Sequence, residues 1–426
     1  MIILTTQVCC DENKKLLTRR GALGRGLAAG AAGAFAGLVG AGLSTRLAFA
    51  ATGYTGDTLV VLSLRGGFDG LSAIAPIGDP DYARARPTIA LPKSQAIGGD
   101  AMFGLHPGLA PLLPMWKNGG LAAVHAVGQP KPNRSHFAAM EEMEQAAAGS
   151  SLRSGWLDRM LGMSGATGPL AAVSMGSAMP ARLLGGSFAD VSMTSVDGFT
   201  LAGESATRPF AAALRKMYAS APPLLAGPAQ AADAALTATA GVRAAAYAPA
   251  NGAAYPATPL GNALKDVARL IKAKAGLAAA AVDCGDWDMH EGLGSAVKGQ
   301  RMHDNLLETS TALAAFAADL GPAGMATVTV VTVSEFGRRV AENASRGVDH
   351  GHGNAMLLMG GGIRGGTVYG TWPGLAPGAL VDGDLAATTD YRAVIGEILQ
   401  KRCGFGSLSD VFPEVAPAAL GLAIAR

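Results

Sequence analysis

Acidic and imidazole side chains are concentrated in two short runs of this chain. Residues 286–290 read Asp-Trp-Asp-Met-His and residues 349–353 read Asp-His-Gly-His-Gly, so the two runs hold three of the seven histidines. Asp288 and His290 are alternate residues, and alternate residues of an extended segment face the same side. Mixed oxygen and nitrogen donors of this kind are typical of an open, catalytic divalent-metal site. The alternatives are a surface loop for the first run and structural histidines for the second.

Two further carboxylates follow apolar runs in the same way. Asp69 lies among glycines in residues 66–70, which let the backbone turn and present the carboxylate. An ordinary Asp-Gly turn is the alternative there. Glu335 follows another apolar run, with Arg338 close behind. The candidate metal ligands are Asp69, Asp286 (a reserve ligand), Asp288, His290, Glu335, Asp349, His350 and His352. They would hold one or two divalent ions, and the sequence does not distinguish zinc, calcium, magnesium and manganese.

Residues 133–137, Asn-Arg-Ser-His-Phe, precede a predicted helix and carry the candidate catalytic groups. The Ser135 hydroxyl is either an N-cap or a nucleophile, because the positive end of a helix also favours an incoming anion. Arg134 is a candidate for holding an oxyanion, as is Arg338 further along the chain. His136 is a candidate metal ligand or proton shuttle. These interpretations do not exclude one another.

The elements that must position these residues are apolar, β-branched runs that alternate with segments of helical spacing. Such an alternation predicts an α/β fold with a doubly wound, mainly parallel sheet and helices on both faces. An open sheet of this type binds ligands at the carboxyl ends of its strands, which is where the motifs fall. Strands are predicted at residues 58–64, 121–127, 170–173, 277–282, 326–333 and 355–359, and helices at 109–116, 137–148, 261–274, 302–320 and 390–400.

The first fifty residues have the pattern of an export signal. A basic region contains Arg19 and Arg20, an apolar Gly/Ala-rich stretch follows over residues 22–39, and residues 48–50 read Ala-Phe-Ala, a cleavage site. The paired arginines predict the twin-arginine route and a periplasmic or secreted protein. An uncleaved membrane anchor is the alternative, and the arginines at both ends of the stretch disfavour it.

The remaining chain, residues 51–426, is predicted to be one large α/β domain. The Ala-rich segment 200–252 predicts a helical insertion or cap. A formal net charge of +2 gives no basic surface for nucleic acid. Cys284 and Cys403 are the cysteines left after signal cleavage, and whether they pair stays open.

The ordered motifs resemble a known family over nearly the whole mature chain. They match the exported bacterial proteins grouped as domain of unknown function 1501, which are similar to the alkaline phosphatase-like superfamily of sulfatases and phosphodiesterases. The resemblance implies an α/β/α sandwich with one or two divalent metals. It implies roles for Asp69 as a ligand, Ser135 as the nucleophile, Asp286 (or Asp288) and His290 as ligands, and His352 or His350 as the last ligand. The motifs are GGFDGL, RSHF, DWDMH, SEFGR, DHGHG and GTVYGTWPGL, the last at residues 366–375.

The chain departs from that superfamily at two positions of one motif. Phe336 stands where the superfamily has a metal-binding histidine, and Glu335 stands where it has aspartate. One metal is then lost, or His350 fills the gap. The sulfatase signature for conversion to formylglycine is absent around Ser135, which disfavours that chemistry.

These observations favour an exported, metal-dependent hydrolase of phosphate or sulfate esters. Its substrate would be a small-molecule or glycan ester, attacked by Ser135. The alternative is a catalytically decayed fold that binds a glycan or protein in the cell envelope, and Phe336 favours it.

Overall fold

The computed structural model describes residues 54–426, apart from 132, 149, 180, 206 and 416–418. The predicted signal peptide, with its paired arginines Arg19 and Arg20 and the cleavage site after Ala50, lies outside the described residues. The described part folds around a nine-stranded sheet, with a separate three-stranded sheet beside it.

The strands of the main sheet are β1 (Thr58–Leu64), β5 (Leu121–Gly128), β6 (Ala172–Met175), β7 (Val191–Met193), β8 (Ala279–Cys284), β9 (Val328–Val333), β10 (Asn354–Gly360), β11 (Val368–Tyr369) and β12 (Thr389–Asp390). The small sheet contains β2 (Ile74–Ala75), β3 (Ile97–Gly99) and β4 (Gly104–Leu105). The α-helices are α1 (Gly70–Ala73), α2 (Tyr82–Ala85), α3 (Leu113–Lys117), α4 (His136–Gln145), α5 (Trp156–Met163), α6 (Phe210–Tyr218), α7 (Pro223–Ala244), α8 (Pro259–Lys272), α9 (Arg301–Met325) and α10 (Tyr391–Arg402).

The central strand β1 shows why helices cover both faces of the sheet. Its residues from Leu59 to Leu64 are almost fully buried, so both faces of the strand need apolar partners. Val60 and Leu62 belong to a core that includes side chains of α8 and α9. Leu59 and Val61 belong to a second core, with side chains of α5 and α10. The predicted α/β sandwich with helices on both faces is therefore confirmed.

The order of the main sheet is β11-β5-β10-β9-β1-β8-β6-β7, and β12 also pairs with β5. The pairs β1–β8, β1–β9, β6–β8 and β6–β7 are parallel. In contrast, β10 runs antiparallel to both β9 and β5. The carboxyl ends of β1, β5, β8 and β9 therefore lie at the same edge of the sheet as the amino end of β10.

This arrangement explains how motifs far apart in sequence meet. Residues 65–69 follow β1, residues 129–131 and 133–136 follow β5, residues 285–290 follow β8 and residues 334–338 follow β9. In contrast, residues 349–353 precede β10. All five segments consequently emerge at one edge. Residues 337–339 and 349–352 are further joined by backbone hydrogen bonds, including Gly337 N to His352 O at 2.9 Å.

The remaining segments add detail that the sequence pattern did not predict. Strand β7 and the three-stranded sheet are additions, and β6 and β8 begin two residues later than predicted. Residues 200–252 contain α6 and α7, and the role of this segment as a cap stays a prediction.

Cys284 and Cys403 are both free thiols. Within the described residues, no helix combines the length and apolar character needed to cross a membrane.

Candidate metal centre

Four side chains from three of these segments form a group that we call the histidine cluster: His136, Asp288, His290 and His350. His136 is the first residue of α4, Asp288 and His290 follow β8, and His350 precedes β10. Asp288 Oδ1 lies 3.1 Å from His290 Nε2 and 3.9 Å from the Nε2 atoms of both His136 and His350. The four side chains are 20% to 40% exposed, so the cluster is open to solvent.

Each imidazole of the cluster is oriented by a hydrogen bond at its other ring nitrogen. His136 Nδ1 lies 2.9 Å from Glu335 Oε1, and His290 Nδ1 lies 2.9 Å from Asp349 Oδ1. His350 Nδ1 lies 2.8 Å from the carbonyl oxygen of Arg134. Because these oxygens accept hydrogen bonds, each Nδ1 carries the proton and each Nε2 is left to bind elsewhere. Histidine ligands of metal ions are held by partners of this kind.

The electrostatics of Asp288 keep a negative charge in the middle of the cluster. Burial raises the pKa of Asp288, but the neighbouring side chains of His290, His350 and Arg338 outweigh that effect, and the net pKa lies well below its usual range. The guanidinium of Arg338 contributes Nη2, 2.7 Å from Asp288 Oδ1. The surroundings of Asp288 therefore favour its ionised form.

The Nε2 atoms of His290 and His350 lie 2.9 Å apart. Because the Nδ1 atoms of both rings act as donors, the lone pairs of the two Nε2 atoms would face each other unless a cation lies between them. The hydrogen bond to Asp288 raises the pKa of His290 above its usual value despite partial burial, which favours a proton at this position. A divalent ion satisfies the same atoms, and imidazole with carboxylate is a donor set that such ions accept. His136, Asp288 and His350 also each place one ligand atom within 4.8 Å of the other two.

Glu335 is buried behind the cluster and orients His136. Its Oε1 accepts the backbone N–H of Gly66 at 2.8 Å, and its Oε2 lies 3.1 Å from Ser334 Oγ. Burial raises the pKa of Glu335, but the hydrogen bonds from His136 and the backbone outweigh it, so the pKa is lowered. The Glu335 carboxylate thus contacts the ring of His136 and lies outside the histidine cluster, and its role as a metal ligand stays a prediction.

Phe336, which follows Glu335, packs against the imidazoles. Its ring centroid lies 4.8 Å from that of His136 and 4.6 Å from that of His350. The side chain is buried, at 4% exposure. His350 reaches the cluster from the loop that precedes β10, which is one of the two alternatives that the sequence left open. Phe336 packs against two imidazole rings of the cluster, those of His136 and His350.

Two glycines let these loops approach one another. Gly66 and Gly67 have φ angles of +115° and +74°, a region that other residues rarely adopt. A Cβ on Gly67 would lie 2.5 Å from the ring of Phe336, and one on Gly66 would lie 2.6 Å from the backbone nitrogen of Asp288. The Gly-Gly pair after β1 is therefore required by the close packing of the loops beneath the cluster.

Ser135 is exposed and immediately precedes His136, at the start of α4. Its hydroxyl makes no capping hydrogen bond, although the residue occupies the N-cap position. Its backbone N–H donates to Asn133 Oδ1 at 3.0 Å. The structure therefore does not show the Ser135 hydroxyl capping the helix. The role of Ser135 as a nucleophile stays a prediction.

The two arginines of the prediction are placed differently. Arg134 pairs through its guanidinium with the buried carboxylate of Asp384, with Nε 3.1 Å from Oδ2, and its carbonyl holds His350. Arg338 is fully buried and donates to Gly67 O at 2.6 Å and Val348 O at 2.9 Å. Arg338 therefore ties the loops together and neutralises part of the charge on Asp288, and a role for either guanidinium at an oxyanion stays a prediction.

Three predicted metal ligands have other partners in the structure. Asp69 forms a buried ion pair with Arg86, whose Nη2 lies 2.9 Å from Asp69 Oδ1. Asp286 pairs with Arg301 on the exposed side of its loop. His352 is buried and its Nε2 lies 2.8 Å from the carbonyl oxygen of Gln129. Their ligand roles stay predictions, and of the two histidines left open at the last position, His350 is the one in the cluster.

Sequence reasoning missed three residues that support the site. Asn343 Nδ2 donates to His290 O at 2.8 Å and to Asp349 Oδ1 at 3.1 Å. Arg86 and Asp384 are the buried partners of Asp69 and Arg134. These three lie outside any motif, so their types and spacing gave no signal. Only the unpaired charge that Asp69 would otherwise leave in the protein interior hinted that a partner had to exist.

The sequence also matches a family model. The model described as Protein of unknown function (DUF1501) matches residues 111–396, which is more than half of the 426 residues. The chain belongs to this family. The DUF1501 match includes all four residues of the histidine cluster, whereas Asp69 precedes it. None of the curated proteins compared with the chain matches it.

Several solved structures are distantly similar. The C-terminal periplasmic domain of EcEptC from Escherichia coli, in complex with zinc, is 11% identical, with 75% of this chain and 77% of that chain covered and a TM-score of 0.34. The PsFucS1 sulfatase from Pseudoalteromonas sp. is 11% identical, with 87% and 70% covered and a TM-score of 0.37. The lipoteichoic acid synthase LtaP from Listeria monocytogenes is 9% identical, with 78% and 72% covered and a TM-score of 0.31. Likenesses this distant assign no role to any residue of the DUF1501 chain.

Proposed function

We propose that this protein is an exported, metal-dependent hydrolase of phosphate or sulfate esters. The observation that carries the proposal is the histidine cluster, in which three imidazoles with anchored Nδ1 atoms direct Nε2 towards the ionised Asp288. A cluster that served only packing would not leave four charged or ionisable side chains partly exposed around one point. The proposed export rests on the pattern of residues 14–50.

The donor set favours zinc as the metal. Three imidazole nitrogens and one carboxylate suit zinc better than calcium or magnesium, which prefer oxygen ligands. The residues that would hold it are His136, Asp288, His290 and His350. A divalent ion there supplies positive charge that lowers the pKa of a nearby hydroxyl and stabilises negative charge on the ester oxygens.

The residues around the cluster supply the rest of the chemistry. Ser135 lies at the positive end of α4, where the helix dipole favours an anionic phosphate or sulfate group. Its Oγ attacks phosphorus or sulfur, the bond to the leaving alcohol breaks, and water then hydrolyses the covalent ester on Ser135. Glu335 and Asp349 hold His136 and His290 in their ring orientations throughout.

The test is a comparison of zinc-loaded wild type with Ser135→Ala and His290→Ala on para-nitrophenyl phosphate, bis-para-nitrophenyl phosphate and para-nitrophenyl sulfate. We expect turnover of at least one ester by wild type and a loss of about a thousandfold or more in both variants. Zinc content should fall in His290→Ala and stay unchanged in Ser135→Ala. Ser151→Ala, at another exposed serine, is the matched control and should retain full turnover.

Two outcomes would contradict parts of this proposal. Retention of turnover by Ser135→Ala would remove the serine nucleophile while leaving metal-dependent hydrolysis in place. A zinc-loaded wild type that hydrolyses none of the three esters would overturn the hydrolase assignment itself.

A further inference from the structure

Two large apolar side chains are exposed at the edge of the sheet that carries the histidine cluster. Phe137, the residue after His136, is 76% exposed, and Met179, in the segment that follows β6, is 73% exposed. Strand β6 is parallel to β8, so that segment emerges at the same edge as the residues after β8. Among the described residues, Phe137 and Met179 are the two most exposed large apolar side chains. Isolated exposed apolar side chains are ordinary on a protein surface, so the position of this pair decides whether it has a role.

The direction of the Phe137 side chain follows from helix geometry. Phe137 is the second residue of α4, and the Cα–Cβ bonds of a helix tilt towards its N-terminus. The N-terminal end of α4 is the end that carries Ser135 and His136. The ring of Phe137 therefore leans towards the exposed Ser135, while the ring of His136 contacts Asp288 from the same turn.

The segment after β6 contacts the same face of α4 on which Phe137 lies. Phe137, Glu141 and Glu144 have the i, i+4, i+7 spacing of one helical face. Glu141 Oε1 lies 3.1 Å from Nη1 of Arg182, which closes the segment after β6. Glu144 Oε1 lies 2.6 Å from Nη2 of Arg65, the residue that follows β1. This face of α4 is therefore held along the edge of the sheet, and both exposed apolar side chains belong to segments that meet there.

The types of the two side chains favour an aromatic ring as their partner. The ring of Phe137 can stack on a second ring or meet its edge, and such pairs gain stability beyond the area that they bury. The thioether of Met179 also contacts aromatic rings favourably and adapts its shape to them. A polyol is a poorer partner, because hydroxyl groups against apolar side chains lose hydrogen bonds to water.

We infer that the ester hydrolysed at this site is that of an aryl alcohol, and that Phe137, together with Met179, contacts the aromatic ring of the leaving group. The inference rests on the proposed function, in which the anionic ester group lies beside Ser135. Phe137 is two residues from Ser135, in the first turn of the same helix, so the group nearest its ring is the one attached to the ester oxygen. Phe137 then selects the alcohol, whereas the histidine cluster acts on the ester group.

The test compares the binding of phenylphosphonate and methylphosphonate to the full chain in the presence of zinc, by isothermal titration calorimetry. Both compounds carry the anionic group on a carbon–phosphorus bond that ester hydrolysis does not cleave, so affinity is measured without turnover. We expect wild type to bind phenylphosphonate about tenfold more tightly than methylphosphonate, the lower end of what an apolar contact contributes to specificity. Phe137→Ala should remove most of this difference.

Three further variants separate the aromatic contact from other effects. Phe210→Ala removes another exposed phenylalanine, on α6, and is the matched control that should bind both phosphonates like wild type. Phe137→Tyr keeps the ring and should keep the preference for phenylphosphonate. Met179→Ala should reduce the preference about threefold, the order of one contact between a thioether and an aromatic ring.

The inference and the proposed function fail in different ways. Equal affinity of wild type for the two phosphonates would overturn the inference, as would a preference that Phe137→Ala retains in full. Binding of neither compound by a wild type with a cooperative thermal melt would overturn it as well. Selective binding of phenylphosphonate without turnover of any para-nitrophenyl ester would instead overturn the hydrolase assignment and leave the aryl site in place.

Discussion

His136 Nδ1 lies 2.9 Å from Glu335 Oε1, and this contact joins the start of α4 to the loop that follows β9. The pKa of Glu335 is lowered despite its burial, so the carboxylate is favoured in its ionised form and accepts a hydrogen bond from the Nδ1–H of His136. Nε2 of His136 is then directed towards Asp288, 3.9 Å from its Oδ1. This one contact fixes both the tautomer and the orientation of the ring, which are the two properties that metal binding requires.

Glu335→Gln should weaken zinc binding by about 10–100-fold, the effect typical of losing a partner that orients a metal-binding histidine. Glutamine keeps an acceptor oxygen but removes the charge that holds the Nδ1 proton. Competition with a chromophoric zinc chelator measures the affinity directly. Glu291→Gln, at an exposed glutamate near the cluster, is the control. Equal affinities of the two variants would show that Glu335 does not orient a ligand.

The two histidines of residues 349–353 should behave differently. His350→Ala removes an Nε2 of the cluster and should abolish stoichiometric zinc binding, whereas His352→Ala should keep it because that ring is bonded to Gln129 O. Elemental analysis after dialysis gives the metal content. In wild type, zinc at a hundred times its dissociation constant should stabilise the fold by about 2.7 kcal/mol, and a chelator should reverse this. Zinc loss in His352→Ala with retention in His350→Ala would reverse the assignment.

The sequence predicted the edge of the sheet at which the site forms, and the structure explains why. Apolar strands followed by polar motifs identify β1, β5, β8 and β9, whose carboxyl ends share one edge. The run before β10 reaches the same edge because that strand is antiparallel to its neighbours. As a result, the structure brings together three of the candidate ligands, Asp288, His290 and His350. It adds to them His136, one of the candidate catalytic residues.

What the sequence could not predict is which partner each polar residue takes. Asp69 and Asp286, like Asp288, are aspartates in a loop that follows a strand. Their carboxylates nevertheless pair with Arg86 and Arg301, which lie outside the motifs. Such choices depend on loop paths and side-chain packing between distant segments, and these are not encoded in local spacing.

The paired arginines of the first fifty residues give a prediction on export. Replacing Arg19 and Arg20 together by lysine keeps the charge but removes the guanidinium pair on which the twin-arginine assignment rests. We expect the full-length precursor to accumulate in the cytoplasm, as measured by cell fractionation and immunoblotting. The control variant replaces Lys14 and Lys15 by arginine and should be exported normally. Normal export of the Arg19→Lys, Arg20→Lys chain would contradict the twin-arginine route.

The ion pair of Asp69 with Arg86 should be a major source of stability. Both side chains are buried, and Arg86 also donates to Val340 O at 2.9 Å and to Arg339 O at 2.8 Å. Asp69→Asn leaves a buried guanidinium without its counter-charge and should lower the free energy of unfolding by about 3–5 kcal/mol. The control is Asp81→Asn, which removes a largely exposed pair with Arg84 and should cost about 0–1 kcal/mol.

The same pair should make stability depend on pH in a defined direction. Burial raises the pKa of Asp69, but the charge and hydrogen bonds of Arg86 outweigh it, so the folded-state pKa lies below its usual value. A carboxyl with a lowered folded-state pKa stabilises the fold above the unfolded value of about 3.9 and loses that contribution as the pH falls through the folded one. Urea unfolding of wild type and Asp69→Asn should therefore differ fully at neutral pH, begin to converge below about pH 4, and coincide only once the pH is below the lowered folded-state pKa. A difference that stays constant down to the acid transition would show that Asp69 stabilises the protein by packing and not by its charge.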